Sequence, residues 1–307
     1  MKKETATHLT TKKARAVSVT IIPIPFGDGV GETGGAVDTP KYLLRRGFAR
    51  EFARAGFSVK QCPAITTQKM SPMTLSARGA VARELKLGRK CVALGGTHTI
   101  SLGTIGGALE VFGDDLGLIW VDAHGDLNTH AISLTKDMRG MVFASLLGLD
   151  KKISHALVPR KLNKKNALHI GLKDADEAEI QLIQKNSLSV VTMGDMVTHG
   201  MSYATSHVKR LVGHTKYLWV SIDVDAIEKN DAPASAMASH GGLTYREIAH
   251  LAKYIGDSGN VVGVDIAEMT PNKDVRGKTA GVCLEIASSL LGAPSNWYTR
   301  YMDTYTK

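Results

Sequence analysis

Short apolar runs rich in β-branched residues alternate about eight times with longer segments of helical period. Several of these runs have apolar residues on both faces, which is typical of parallel strands that are buried on both sides. Such an alternation predicts a sheet covered by helices on both sides. The sequence therefore predicts an α/β protein, a three-layer α/β/α arrangement with a mainly parallel sheet of about eight strands.

The pattern also gives the positions of the elements. The predicted strands are residues 17–24, 57–61, 91–94, 116–121, 167–170, 188–193, 217–224 and 261–266, and helical periods cover residues 41–55, 244–254 and 278–291. We find no linker rich in proline or serine and no internal repeat, so we expect residues 16–307 to form one domain. The polar, basic stretch of residues 1–15 is expected to be a flexible N-terminal arm.

Composition and charge argue against several classes of partner. The net charge is +9, but the basic residues are scattered and aromatic residues make up only 6% of the chain, so we expect no nucleic-acid partner. No apolar run is long enough to span a bilayer, and residues 1–15 resemble a transit peptide only weakly. Cys62, Cys91 and Cys283 fit no zinc motif. We expect them to be reduced thiols in a cytoplasmic protein.

Three predicted strands end in polar motifs, at the edge where open α/β sheets bind their ligands. The first motif is Gly-Gly-Thr-His at residues 95–98. Its two glycines permit a tight turn close to another backbone, which directs His98 into the cleft. Taken alone, a histidine after Gly-Gly is more often a turn residue than a ligand.

The other two motifs place acidic residues two positions apart. Asp122, His124 and Asp126 directly follow an apolar strand, and Asp223 and Asp225 end another. Alternate side chains of extended backbone share a face, so each set converges. Two carboxylates on one face repel each other, and one pKa should rise unless a cation neutralises them. An exposed acidic turn is the alternative for the third motif.

Together the motifs supply two histidines and four aspartates, without a thiolate. This set of oxygen and nitrogen ligands suits Mn²⁺ or a similar divalent ion and is too rich in carboxylates for a structural zinc site. Six such ligands can hold two ions about 3.5–4 Å apart and activate a shared water.

These motifs, in this order and at these separations, resemble the arginase, agmatinase and formimidoylglutamase superfamily of ureohydrolases. The resemblance extends to residues 171–176, 241–247 and 265–268. It implies an arginase-like fold, two Mn²⁺ per subunit, and hydrolysis of a guanidino or amidino C–N bond by metal-bound hydroxide. It also implies a homotrimer. Residues 296–302 are aromatic and contain Arg, a composition enriched at interfaces, although a tail folded on its own subunit is the alternative.

The resemblance also implies roles for single residues. One metal would be held by His98, Asp122, Asp126 and Asp223, and the other by Asp122, His124, Asp223 and Asp225. Glu268 matches the catalytic-site glutamate that holds the guanidinium by a charge-assisted pair. Asn128 matches a residue that contacts the substrate carboxylate, while Asp176 and Glu179 match carboxylates that recognise the amino-acid end of the substrate.

Several positions near the substrate depart from the family. Thr97 stands where relatives have Asp before the first histidine ligand, and Arg139 stands where they have a proton-shuttling His. Arginine cannot move a proton near neutral pH, and its charge would oppose a guanidinium. Thr135 and Asp137 stand where relatives bind the α-carboxylate, which Asp137 would repel. His130 is the nearest histidine that could replace the catalytic shuttle.

Met237 replaces a further polar contact to the substrate. The expected metal ligands are therefore complete while the expected substrate contacts are not, and we expect hydrolysis of L-arginine to be weak or absent. Three explanations stay open: another guanidino compound is the substrate, the protein is a catalytically silent homologue that binds metal or ligand as an oligomer, or the ligands were restored in a homologue that had lost them.

Overall fold

The computed structural model describes residues 16–28 and 35–293. Its eight strands are β1 (Ser18–Ile24), β2 (Ser58–Gln61), β3 (Lys90–Gly95), β4 (Leu116–Val121), β5 (Ala167–Leu172), β6 (Ser189–Thr192), β7 (Tyr217–Asp223) and β8 (Val261–Ala267). They form one sheet in the order β2-β1-β3-β8-β7-β4-β5-β6, and every neighbouring pair is parallel. The predicted parallel sheet of about eight strands is confirmed. The predicted N-terminal arm and the segment 296–302 lie outside the described residues.

The described residues also form eleven α-helices. They are α1 (Thr39–Arg45), α2 (Phe48–Arg54), α3 (Met70–Lys86), α4 (Ser101–Phe112), α5 (Val142–Leu146), α6 (Lys151–Leu157), α7 (Glu177–Asn186), α8 (Met193–His199), α9 (Met201–Val212), α10 (Tyr245–Asp257) and α11 (Lys278–Leu290). The single helix predicted over residues 41–55 was wrong. Gly47 has a φ of 89°, a left-handed conformation that ends α1 and starts α2.

Two apolar clusters cover the two faces of the sheet. Successive strand residues point to opposite sides, so Ile21 of β1 belongs to one cluster and Ile22 to the other, and both are fully buried. Side chains of α3, α4, α5 and α6 complete one cluster, and those of α1, α2, α9, α10 and α11 complete the other. This double burial explains the continuous apolar strands and confirms the three-layer α/β/α arrangement.

A buried carboxylate joins the first two strands to α3. Glu84 accepts hydrogen bonds from Lys60, Arg83, Arg89 and Thr20 at 2.8–3.1 Å, and its side chain is fully buried. Burial raises the pKa of Glu84, but these donors outweigh it and lower the pKa to about 2. The carboxylate is therefore charged over the whole neutral range.

The three cysteines lie in the interior of the protein. Cys62, Cys91 and Cys283 are buried free thiols. Burial raises the pKa of Cys283 to about 12, which keeps this thiol neutral. In the part of the chain that the structure describes, no helix is both long and apolar enough to cross a bilayer.

The strand order decides where the polar motifs meet. The four strands β3, β8, β7 and β4 are consecutive neighbours in the sheet, and all of them run in the same direction. Their carboxyl ends therefore lie side by side at one edge of the sheet. His98 follows β3, Asp122 follows β4, Asp223 ends β7 and Glu268 follows β8.

Candidate metal centre

The turn before His98 fits against another backbone segment. A Cβ atom on Gly96 would lie 2.0 Å from the carbonyl oxygen of Phe26, so only glycine fits there. The backbone N–H of Thr97 donates to that same oxygen at 2.9 Å. The predicted close approach is confirmed, and it fixes His98 at the start of a short 3-10 turn, where its side chain is buried.

Asp28 supports this turn from a loop that the sequence did not single out. Its two carboxylate oxygens accept hydrogen bonds from the hydroxyl groups of Thr97 and Thr99, on either side of His98. Thr97 was interpreted from the sequence as replacing an aspartate, and Asp28 brings a carboxylate to the same turn from the segment after β1. The position of Asp28 depends on the approach of the two loops, so no local pattern indicates it.

Three carboxylates surround the Nδ1 atom of His98. This atom lies 3.1 Å from Asp122 Oδ2, 3.3 Å from Asp223 Oδ2 and 3.5 Å from Asp126 Oδ2. It is buried and has no hydrogen-bond partner among the described residues. A nitrogen lone pair aimed at three carboxylate oxygens is repulsive unless a cation lies between them. The donor set and the unpartnered nitrogen therefore fit a divalent metal.

His124 is the centre of a second group of ligands. Its Nδ1 lies 3.1 Å from Asp225 Oδ2 and 3.6 Å from Asp122 Oδ1. Ligand atoms of His98, Asp122 and Asp223 lie within 4.8 Å of one another, as do those of Asp122, His124 and Asp225. Asp122 is common to both groups, so five of the six predicted ligands form two adjoining sets. Asp223, predicted to be shared, belongs to one set, and Asp126 belongs to neither, although it lies 3.5 Å from His98 Nδ1.

Backbone donors hold the carboxylates in these orientations. Asp122 Oδ1 accepts from the N–H of His124 and Asp223 Oδ1 accepts from the N–H of Asp225, both at 2.8 Å. An aspartate that binds the backbone two residues later is a common local turn. Because each aspartate binds the backbone N–H two residues later through Oδ1, the Oδ2 atoms of Asp122 and Asp223 face His98. Asp126 has a φ of 49°, a strained value often found at functional sites.

The charges of the cluster are strongly coupled. Burial raises the pKa of Asp126 and of Asp223 well above the ordinary range, and the neighbouring carboxylates raise both further. Burial also raises the pKa of Asp122, but His124 and His98 outweigh it and lower the value. Burial lowers the pKa of His98, yet the carboxylates of Asp122 and Asp223 raise it well above its usual value. Without a metal cation, the cluster must therefore hold protons, as the sequence predicted for adjacent aspartates.

A buried hydrogen-bond relay holds His98 through Nε2, the ring nitrogen that does not face the carboxylates. Its Nε2 lies 2.9 Å from Ser221 Oγ, and the Ser221 hydroxyl donates to Asp265. Asp265 also accepts from Trp219 Nε1 at 3.0 Å and from the Thr104 hydroxyl at 2.5 Å. Because the Ser221 hydrogen goes to Asp265, its oxygen accepts from Nε2–H and leaves Nδ1 for a metal. This relay was not predicted from the sequence. A charged residue inside the apolar strand β8, Asp265, could have indicated it, because a buried charge needs hydrogen-bond partners.

Glu268 follows β8 and faces the same cleft. Its Oε1 accepts from the backbone N–H of His98 at 2.8 Å, and its φ is 59°. Burial raises the pKa of Glu268 to about 7, although the His98 N–H and the charge of Arg139 both lower it. The side chain is therefore held at a fixed point beside the first group of ligands.

These residues lie in a cleft of about 390 Å³. The cleft contains Thr135, Asp137, Arg139 and Met237, four of the five positions interpreted from the sequence as departures near the substrate, whereas Thr97 does not line it. Its lining is formed by His98, His124, Asp126, Asn128, Thr135, Asp137, Arg139, Gly140, Asp174, Ala175, Asp176, Glu179, Asp223, Asp225, Met237 and Glu268.

The three residues predicted to contact substrate lie in this cleft and bind one another. Asn128 Nδ2 donates to Asp176 Oδ2 at 2.9 Å. Asp176 and Glu179 form a reciprocal capping box at the start of α7, and Glu179 Oε1 also accepts from Leu127 N–H at 3.0 Å. Asp176 and Glu179 therefore have a structural function that the Asp-x-x-Glu spacing indicates, and no contact here tests their substrate role.

His130 does not line the cleft. Its Nδ1 lies 2.7 Å from Asp150 Oδ2, and its backbone N–H donates to the same oxygen at 2.9 Å. Asp150 in turn caps the start of α6. The position of His130 therefore gives no support to its predicted role as a proton shuttle.

Asp137 and Arg139 form an ion pair within the cleft. Arg139 Nη2 lies 2.6 Å from Asp137 Oδ2, and Nε lies 3.1 Å from both oxygens. From the sequence, the negative and positive charges were expected to act as separate obstacles to substrate. The structure corrects this interpretation, because the two side chains form one ion pair that occupies part of the cleft.

Comparisons with known proteins agree with this geometry. The model of the Arginase family matches residues 17–292. An arginase of Schizosaccharomyces pombe is 29% identical over 301 residues, covering 90% of this chain and 92% of that protein. An arginase of Bacillus subtilis is 33% identical over 204 residues, covering 66% of this chain and 68% of the relative. The crystal structure of arginase from Bacillus cereus superposes with a TM-score of 0.85 at 26% identity, covering 90% of this chain and 99% of that one.

Proposed function

Because this chain belongs to the arginase family, we propose that it is a metallohydrolase acting on a guanidino or amidino compound. The proposed cofactor is Mn²⁺, two ions per subunit, held by His98, Asp122, His124, Asp126, Asp223 and Asp225. Two such ions would supply Lewis acidity and would lower the pKa of a bound water molecule. The overall reaction would add water across one C–N bond of the substrate and release ammonia or an amine.

The observation that supports this proposal is the pair of ligand groups that share Asp122 at the base of the cleft. A structural metal site usually surrounds one ion completely. Here His124 keeps 32% of its side chain exposed, on the side where the cleft opens. Metals held by these residues would therefore be reachable from solvent, as a hydrolytic site requires.

Glu268 is the residue proposed to orient the reacting group. Its carboxylate faces the cleft from a fixed backbone position, and carboxylates pair strongly with amidinium and guanidinium groups. The departing amine also needs a proton. Arg139 occupies the position where relatives have a histidine for this purpose, and a guanidinium keeps its own proton near neutral pH.

We therefore propose that L-arginine is hydrolysed weakly or not at all. General acid-base catalysis typically contributes about 10²–10⁴ in rate, and Arg139 does not supply it. The Asp137–Arg139 ion pair also fills part of the cleft that L-arginine would use. Both effects lower turnover.

A catalytically silent homologue is the second candidate. The observation in its favour is the Asp137–Arg139 ion pair, which fills part of the cleft that the substrate would use. Such a protein would bind metal or a small ligand without turning it over. The homotrimer proposed from the family resemblance applies to both candidates, and sedimentation velocity checks it directly.

Metal loading followed by a substrate panel separates the two candidates. Purified full-length protein is loaded with Mn²⁺, its metal content is measured, and release of urea or ammonia is followed with guanidino and amidino compounds. We expect about two Mn²⁺ per chain and turnover of at least one compound other than L-arginine.

The matched variants exchange one carboxylate for an amide. Asp223→Asn should lose metal and activity, while Asp115→Asn, an exposed residue paired with Lys216, should keep both. Full metal loading with no turnover across the panel would favour the silent homologue. Failure to bind any divalent metal would refute the metallohydrolase and would leave the silent homologue only as a protein that binds a small ligand.

A further inference from the structure

The guanidinium group of Arg139 lies beside the carboxylate of Glu268 in the cleft. Its Nη1 is 3.8 Å from Glu268 Oε2, while Nε and Nη2 bind Asp137. Only 22% of the Arg139 side chain and 8% of the Glu268 side chain are exposed. The guanidinium is therefore largely enclosed within the cleft rather than solvated at its surface.

Negative charge surrounds this guanidinium on more than one side. Asp137 belongs to the same loop, Glu268 follows β8, and Asp28 approaches from the segment after β1. Hydrogen bonds to Asp137 raise the pKa of Arg139, and the charges of Glu268 and Asp28 raise it further. Two separate segments thus place carboxylates beside this cation, and Asp28 adds negative charge to its surroundings from a third.

Two of these carboxylates are positioned independently of Arg139. The His98 N–H fixes Glu268, and the hydroxyl groups of Thr97 and Thr99 fix Asp28. Removing the Arg139 side chain should therefore leave the anionic surroundings in place. The resulting space would have the size and charge suited to a guanidinium ion.

We propose that Arg139 is a specificity-determining residue that occupies the guanidinium position at Glu268, so that the cleft rejects guanidinium cations. The inference rests on the proposed function for the role of Glu268. A second cation near Arg139 would meet a charge of the same sign in a poorly solvated space. Among guanidino and amidino compounds, the unmodified chain therefore favours those that carry no positive charge at neutral pH.

Binding of guanidinium itself tests this inference without any catalytic step. Guanidinium chloride is titrated by calorimetry, at millimolar concentration and constant chloride, into the wild-type chain and into Arg139→Ala. We expect binding to Arg139→Ala to be tighter by at least about tenfold, the contribution of one charge-assisted hydrogen bond. Adding Glu268→Gln to Arg139→Ala should abolish the gain.

The control is Arg160→Ala, which removes an arginine that is 52% exposed and paired with Asp114. It should bind guanidinium no better than the wild type. Equal binding by wild type and Arg139→Ala would overturn the inference, as would a gain that survives Glu268→Gln. If Arg139→Ala does not fold by circular dichroism, Arg139→Gln provides the same comparison.

The outcome is separable from that of the proposed function. Tighter binding of guanidinium by Arg139→Ala than by the wild type supports the inference even if no compound is hydrolysed. Conversely, wild-type protein that hydrolyses guanidinium-bearing compounds as fast as Arg139→Ala would overturn the inference while leaving the metallohydrolase proposal intact.

Discussion

The relay behind His98 predicts how strongly a residue outside the cleft controls metal binding. Replacing Ser221 by Ala removes the oxygen that accepts from His98 Nε2 at 2.9 Å and the hydroxyl that donates to Asp265. Both histidine and serine are buried, so water cannot readily replace the lost group. The imidazole then loses the contact that fixes its tautomer.

A second contact of His98 limits the expected loss of metal affinity in Ser221→Ala. Loss of such a partner typically weakens metal binding by about 10–100-fold. His98 also stacks on Trp120, with ring centroids 4.0 Å apart and an interplanar angle of 11°, which restricts rotation of the imidazole. We therefore expect the lower end of this range, about tenfold, or about 1.4 kcal/mol.

The assay is titration of metal-stripped protein with Mn²⁺ in competition with a chelating dye. The control is Ser154→Ala, which removes an equally buried hydroxyl that donates to the carbonyl oxygens of Ser145 and Asp150. This variant should lose stability but bind Mn²⁺ like the wild type. An affinity of Ser221→Ala within about twofold of the wild type would refute the reasoning about the relay.

Three further predictions concern stability, metal content and activity. Glu84→Gln should lower the free energy of unfolding at pH 7 by ~3 kcal/mol, since the pKa of Glu84 is lowered from 4.5 to about 2. This contribution is present above the unfolded-state pKa and is lost as pH falls through the folded-state pKa, so urea unfolding should show the two proteins converging between pH 4.5 and 2. Asp223→Asn should bind at least one fewer Mn²⁺ per chain by elemental analysis, whereas unchanged content would exclude Asp223 as a ligand. Arg139→His should not restore full activity on L-arginine, because Asp137 then stays in the cleft without its partner; a turnover above about 1 s⁻¹ would contradict this.

The strands were predictable because their signal is local. A parallel strand that is covered on both faces must be apolar at consecutive positions, and residues 21–24, 116–121 and 218–220 show this pattern. The ends of the helices were less certain. A glycine such as Gly47 is compatible with a helix in sequence, and its left-handed backbone appears only when α1 and α2 pack separately.

The grouping of the predicted metal ligands was also predictable from the sequence. Aspartates two positions apart at a strand end must share a face, so Asp122 with His124, and Asp223 with Asp225, could be grouped from spacing alone. Their assignment to metals stays a prediction. The contact between His98 and Asp223 could not be predicted from spacing, because these residues are far apart in the chain. They meet only through the order of β3, β8, β7 and β4 in the sheet.

The sequence by itself determined the kind of elements, their order and the ligand types at the strand ends, since each follows from local periodicity and residue chemistry. Only the tertiary structure decided which side chains pair. It joined His130 to Asp150, made Asp137 the partner of Arg139, and placed that guanidinium beside Glu268. These pairings depend on the paths of loops and on burial, which strengthens any contact between opposite charges that the fold brings together.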